Sequence, residues 1–177
     1  MTLIKSISGI RGIINVSINS ILVAKYVKAF SKISPNSTIL LARDTRNSGD
    51  KFIEDSIHVL KNLGKKYINC GIIPTPTAQY LIKKNNYAGG IVFTASHNPE
   101  DWNGMKFIDS NGIFLDHQKF NDLENEAEKT TINTLEDYTL QSENDKDLSG
   151  KSITTHIKDI LSLSINNSSL VENKKFK

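Results

Sequence analysis

The sequence predicts an α/β domain built on a mixed, mostly parallel sheet. Three observations carry that expectation. Short continuous apolar runs, residues 38–42 and 91–93 among them, have the character of strands buried on both faces. Between such runs lie stretches whose apolar residues recur at helical spacing. The two kinds of stretch alternate along the chain, as a parallel βαβ sheet requires.

Residues 1–16 place Ile4, Ile7, Ile10, Ile13 and Ile14 around Gly9 and Gly12. The glycines bracket Arg11 and are expected to let the backbone turn sharply there. Spacing alone leaves two readings of Arg11 open. One is a surface arginine in a glycine-flanked turn; the other is a phosphate ligand whose guanidinium grips two oxygens at once. Residues 17–34 predict a helix, with Ile18, Ile21, Leu22, Tyr26, Phe30 and Ile33 at helical spacing. Ser17 or Asn19 would cap it, and Ser34-Pro35-Asn36 would end it.

The run 38–42 predicts a buried parallel strand, with Arg43, Asp44, Thr45 and Arg46 following at once. An Asp-x-Arg at a strand end can orient a neighbouring loop through a charge-assisted bond. That supporting role is the expected one for Asp44 and Arg46, because such pairs are commonly structural. Ser48 is expected to cap a helix to about Leu63, with Gly64 as its stop; His58 within it reads as a surface or boundary residue. Residues 67–73 predict a further strand, followed by a turn punctuated by Pro74 and Pro76. Thr75 or Thr77 would cap the next helix, and Asn85-Asn86 would close it. Cys70 reads as a small buried residue.

Residues 89–99 hold the chemistry. Gly89 and Gly90 lead into a strand at 90–94, which stops at small and polar residues. Asn98-Pro99 forces a turn, because proline pushes its predecessor out of the helical region. Ser96 is therefore placed just past the carboxyl end of a strand, where open α/β sheets bind ligands. Asn103-Gly104 reads as a hairpin turn that returns 105–108 antiparallel and brings Lys106 towards Ser96. A hydroxyl, the His97 imidazole and an ammonium would then converge. A serine hydroxyl needs activation, and cations around it suit a phosphate better than an acyl group. The Gly-x-Ser-x-Gly elbow is absent, as is an obvious acid for a triad.

Asn111-Gly112 marks another turn, and 116–129 predicts a helix with an exposed His117 near its start. From 130 to 150 the pattern weakens, and Glu143-Asn144-Asp145-Lys146-Asp147 has linker character. Residues 155–163 regain a helical pattern that includes His156, and 166–169 are loop-like.

The chain has 177 residues and is 38% hydrophobic, enough for one compact core. Its 22 basic and 19 acidic residues give a net charge of +3, too balanced to argue for nucleic acid. A single cysteine excludes an internal disulfide and is compatible with a reducing compartment. No apolar run reaches the roughly 18 residues of a membrane helix. The amino terminus has no signal-peptide pattern. A cytoplasmic protein with neither nucleic acid nor membrane as partner is expected.

Four motifs, in order, resemble those of the α-D-phosphohexomutases, the family of phosphoglucomutases, phosphomannomutases and phosphoglucosamine mutases. Thr94-Ala95-Ser96-His97-Asn98-Pro99 with Asn103-Gly104-Met105-Lys106 resembles the family's phosphoserine loop. Ser8-Gly9-Ile10-Arg11-Gly12 resembles its amino-terminal arginine loop. Ala42-Arg43-Asp44-Thr45-Arg46-Asn47-Ser48-Gly49 resembles its second-strand segment, and Pro74-Thr75-Pro76-Thr77 its third turn.

The resemblance implies a three-layer α/β/α domain I in residues 1–140. Residues 141–177 would be a linker, a helix and the lead-in to a second domain that this chain lacks. Lys174-Lys175-Phe176-Lys177 resembles the start of that second domain, so the carboxyl end is expected to be a cut. The implied reaction moves phosphate between the 1- and 6-positions of a hexose phosphate. Phosphorylated Ser96 would donate its group, leaving a hexose bisphosphate that returns its other phosphate. Arg11 would steady developing charge, and Lys106 would be the acid/base on the sugar hydroxyl. His97 would hold the loop or the phosphate, and Asn98, with Pro99, would fix the turn beside the phosphate.

Magnesium (Mg2+) is implied on the phosphate oxygen of Ser96. Its remaining ligands would come from an Asp-Gly-Asp-x-Asp-Arg segment that is absent here. The implied partners are the hexose phosphate, the hexose bisphosphate and the remaining domains of the same enzyme. The isolated chain is expected to be inactive as a mutase. Two alternatives are a non-catalytic phosphate- or partner-binding module and a serine-dependent phosphatase; each explains one motif, the mutase four. The arginine loop departs from the Thr-Asp-Gly-Ile-Arg-Gly form common in phosphoglucosamine mutases, which leaves the hexose open.

Overall fold

The computed structural model describes residues 3–132 and 148–163. Six strands form one sheet: β1 (Ile4–Ser6), β2 (Gly9–Ile13), β3 (Ile39–Arg43), β4 (Tyr67–Ile72), β5 (Gly89–Phe93) and β6 (Trp102–Asp109). The helices are α1 (Ser20–Ile33), α2 (Ser48–Asn62), α3 (Thr75–Asn85), α4 (His117–Lys129) and α5 (Ser149–Leu161). Across the sheet the strands run β1-β2-β6-β5-β3-β4. β4, β3 and β5 are parallel, while β5 with β6, β6 with β2, and β2 with β1 pair antiparallel. The sheet is mixed, as the sequence predicts, and the amino-terminal hairpin β1–β2 extends its antiparallel half.

Helices cover both faces, which makes three layers. On one face α1, α2 and α4 close over Tyr26, Phe30, Phe52, Phe93, Met105 and Phe107. On the other, α3 and α5 close over Leu40, Cys70, Leu81, Ile82, Val92 and Ile108, with Ile153 of α5 packed against them. β3 and β5 are buried on both faces, which is why they read as unbroken apolar runs. Cys70 is buried, as expected, and His117 is exposed.

Local side-chain chemistry sets the helix ends. Asn19 caps α1, its side chain accepting from the Leu22 N–H at 2.9 Å. Ser17 instead accepts from the Ile13 N–H. Asn47, not Ser48, sits at the cap of α2, and it makes no side-chain cap bond. The Ser48 hydroxyl is drawn to Asn103, whose Nδ2 donates to it at 2.7 Å. Pro74 precedes α3, and neither threonine caps it; Thr77 Oγ1 lies 3.0 Å from His156 Nδ1 of α5 instead. Asn86 ends α3 in the left-handed region, at φ 53°.

Three expectations are corrected. Asn103-Gly104 is no hairpin turn: both residues lie inside β6, paired with β2. Asn103 is fully buried, its side chain tied to Ser48 and to the Gly104 N–H. Residues 94–101 reverse the chain instead. The antiparallel return itself is present, with Phe93 opposite Met105 and Val92 opposite Lys106. The glycine turn is also displaced: Arg11 and Gly12 lie in β2, and the reversal falls on Ile7-Ser8 with Gly9 at φ 117°. Finally, α5 begins at Ser149 rather than near 155, because Ser152 and Ile153 already bury against the α3 side of the sheet. The charged segment 143–147, the loop 166–169 and the stretch 174–177 lie outside the described residues.

Candidate functional site

β5 ends at Phe93, and the chain leaves the sheet through a tightly bonded loop. The Thr94 N–H donates to the Gly104 carbonyl at 3.0 Å. The Ser96 N–H donates to Thr94 Oγ1 at 3.0 Å. Asn98 closes the turn, donating to the Ala95 carbonyl from its N–H at 3.1 Å and its Nδ2 at 2.7 Å. Ala95 is thereby buried while Ser96 stands exposed. Ser96 has φ 57°, a left-handed conformation that costs a non-glycine residue roughly 1–3 kcal/mol and persists only where the surroundings impose it.

Arg46 is the surrounding group with most contacts to that loop. Its Nη2 donates to the Asn98 carbonyl at 2.6 Å and to the Ser96 carbonyl at 3.3 Å. Its Nε donates to the Trp102 carbonyl at 2.9 Å. Asp44 aims the guanidinium, accepting from Nη1 at 3.1 Å and from the Arg46 N–H at 3.0 Å. The supporting role expected of the Asp-x-Arg pair is therefore visible as bonds. Arg43, beside it, pairs with Asp50 at 2.6 Å.

Ser96, Arg11 and Lys106 meet around one cavity of about 90 Å³, with Ser8 and Thr94 also in its wall. None of its lining residues is acidic. Sheet register explains the meeting. Arg11 of β2 lies opposite Gly104 of β6, and the next residues of β6 include Lys106, whose Cα lies against Gly9. Arg11 and Lys106 thus stand diagonally across the β2–β6 pair, within reach of long side chains. The Lys106 ammonium lies over the Phe114 ring, 5.4 Å from its centroid, a cation–π contact that restrains the stem.

His97 and Asn98 are placed differently. His97 is exposed, with Nδ1 3.3 Å from Ser96 Oγ. Asn98 borders a second, open recess with Thr45, Arg46, Ser96 and Glu100, and its amide is engaged with the loop backbone. His156 is remote in role as in sequence: it stacks on Tyr80 of α3 at 4.5 Å between centroids. A larger recess of about 240 Å³ lies at the opposite end of the sheet, between Phe30, Pro35 and Asp109.

Chemically, the site offers an exposed hydroxyl on a braced loop, beside a cavity that an arginine and a lysine also line. That set suits an oxyanion carried by, or delivered to, the hydroxyl. Among the described residues no three His, Cys, Asp or Glu side chains cluster as a metal site. Asp44, at the end of β3, is bonded to Arg46. These side chains do not by themselves fit a magnesium ion, which favours several oxygen ligands.

Residues 3–134 match the family description "Phosphoglucomutase/phosphomannomutase, alpha/beta/alpha domain I". A phosphoglucosamine/phosphogalactosamine mutase of Sulfurisphaera tokodaii is 37% identical over 155 residues, covering 87% of this chain and 34% of its own length. A phosphoglucosamine mutase of Prochlorococcus marinus is 40% identical over 126 residues, covering 71% of this chain and 28% of its own. The crystal structure of a proposed phosphomannomutase from Thermus thermophilus superposes with TM-score 0.66 at 25% identity, over 71% of this chain and 30% of that one. The chain thus spans about a quarter to a third of the length of the curated relatives it matches. On the family match over most of its length, this chain belongs to the phosphoglucomutase/phosphomannomutase family.

Proposed function

We propose that this chain is the nucleophile-bearing domain of a phosphohexomutase. The observation that carries the reading is the exposed Ser96 hydroxyl, held at the carboxyl end of β5 beside a cavity it shares with Arg11 and Lys106. Ser96 in its phosphorylated form donates its phosphoryl group to a free hydroxyl of a hexose phosphate. The phosphorus–Oγ bond breaks, a phosphorus–oxygen bond to the sugar forms, the sugar hydroxyl gives its proton to Lys106 in its neutral amine form, and the departing Ser96 Oγ takes up a proton from solvent. The resulting hexose bisphosphate turns around and returns its other phosphate to Ser96. Phosphate is thereby moved between positions 1 and 6. Little covalent work falls to the protein, so positioning and cations supply most of the catalysis. Arg11 holds the phosphoryl oxygens as charge develops, and His97 lies close enough to Ser96 Oγ to steady the phosphate. Asn98 keeps the turn closed.

From this chain a magnesium ion would receive one oxygen of the Ser96 phosphate, its other ligands coming from elsewhere in the enzyme. In this reading residues 1–140, together with α5, which packs on the α3 side of the same sheet, form the serine-bearing domain. The names of the sequence relatives make an amino hexose phosphate the first substrate to test. No helix among the described residues is long and apolar enough to cross a membrane, and a cytoplasmic site of action suits a sugar phosphate. The test is Ser96→Ala in the full-length protein. Turnover of hexose 1-phosphate is expected to fall to background, and wild-type turnover would refute the reading.

A further inference from the structure

We propose that Arg46 is a positioning residue for the phosphoryl-carrying serine. Its guanidinium, aimed by Asp44, holds the Ser96 backbone in the left-handed conformation that presents Oγ to the Arg11–Lys106 cavity. The inference rests on the reading of Ser96 as the phosphoryl carrier.

Two independent observations lead to it. The first is conformational. Ser96 occupies a backbone region that its own side chain disfavours, so something outside the residue must hold it there. The second is the bonding of one side chain. Arg46 reaches the carbonyls of Ser96 and Asn98 on the outgoing limb of the loop and that of Trp102 where the chain re-enters the sheet. A single rigid plane thus bridges both limbs. The bonds are charge-assisted; the one to the Asn98 carbonyl is the shortest, at 2.6 Å, and the one to the Ser96 carbonyl the longest, at 3.3 Å. Asp44 fixes the plane's orientation through two further bonds.

Each guanidinium nitrogen already bonds a protein oxygen, and the side chain is only 13% exposed. Arg46 therefore acts through the loop rather than on the substrate. Lysine cannot reproduce the arrangement, because an ammonium is a point charge without a planar fork. A mispositioned reacting atom loses rate in the chemical step while distal binding groups still hold the sugar.

Steady-state kinetics of the full-length protein with hexose 1-phosphate test this directly. Arg46→Ala is expected to lower kcat roughly 100-fold, the scale of a misplacement near 1 Å. KM should stay within about threefold, since uniform binding is untouched. Arg46→Lys should recover part of kcat. Asp44→Asn keeps the loop's volume and bonding shape, and should lower kcat by about tenfold through loss of aim. Should Arg46→Ala fail to fold, these two variants carry the test alone. Wild-type kcat in the variants that fold would overturn the inference, as would a rise in KM with kcat intact. Ser96→Ala run in parallel separates the two claims. Loss of turnover in Ser96→Ala alongside full turnover in the Arg46 variants overturns only the positioning role; retained turnover in Ser96→Ala overturns the serine reading beneath it.

Discussion

Gly104 sets how closely the arginine strand approaches the serine loop. A Cβ there would stand 2.5 Å from the Ile10 carbonyl oxygen, 2.9 Å from Arg11 Cβ and 3.0 Å from the Thr94 carbonyl oxygen. Two of the three are backbone atoms that cannot swing aside. Gly104→Ala should therefore push β2 and the loop apart, at a cost of roughly 1–3 kcal/mol. Thermal unfolding reads that cost. In the full-length protein kcat should also fall at least about tenfold, because Arg11 and Ser96 separate together. An unchanged kcat would show that β2 need not lie so close. The same glycine shows where residue-level reading reached and where it stopped. Asn103-Gly104 has the chemistry of a turn in any sequence, and only the burial of Asn103 against Ser48 decides otherwise. Lys106 and Ser96 still line one cavity, since the antiparallel return needs only a reversal somewhere between Thr94 and Met105. The Ser96 torsion left no trace in the letters, because serine has no left-handed preference. The targets of Arg46 are backbone carbonyls, which no residue name records.

At the scale of elements, the amino-terminal hairpin matters most, because it carries Arg11. It is pinned to the helical layer by a small polar cluster. Lys5 of β1 pairs with Glu124 of α4 at 2.5 Å, and the Tyr26 hydroxyl of α1 donates to the same carboxylate at 2.6 Å. Burial, reinforced by the bond to Glu124, pushes the Tyr26 phenol up to about 12 from its ordinary 10.0. A folded-state value above the unfolded one means that the neutral phenol stabilises the fold. That contribution is complete below pH 10.0 and is lost as pH rises towards 12. Urea midpoints measured across that window should fall more steeply for the native protein than for Tyr26→Phe. Parallel curves would mean that the phenol does not couple α1 to α4. The hairpin was the element least legible in the sequence. Its strands are three and five residues long, and isoleucines at positions 4, 7, 10 and 13 hide the two-residue alternation of a strand. β3, β5, α1 and α2 were legible because burial on both faces, or on one helical stripe, leaves long regular patterns.

At the scale of the whole molecule, the three layers place the carboxyl ends of β3 and β5 together with β2 at one edge of the sheet. Ser96, the cavity it shares with Arg11 and Lys106, and the Arg46 bonds to the loop all lie there. The cavity between them is small, about 90 Å³, less than the roughly 300–1,000 Å³ of a typical ligand site. On the proposed function it would form one wall of a larger site rather than an enclosure. The isolated 177-residue chain is accordingly expected to show no conversion of glucose 1-phosphate to glucose 6-phosphate in a coupled assay. Measurable turnover by the purified chain would contradict that. The most direct measurement is the fate of phosphate itself. Full-length protein is mixed with a hexose 1,6-bisphosphate carrying labelled phosphate, then digested and sequenced by tandem mass spectrometry. Label is expected on Ser96 and nowhere else, and it should leave when hexose monophosphate is added. Label on another residue, or none on Ser96 in a protein that still turns over, would contradict the serine as carrier.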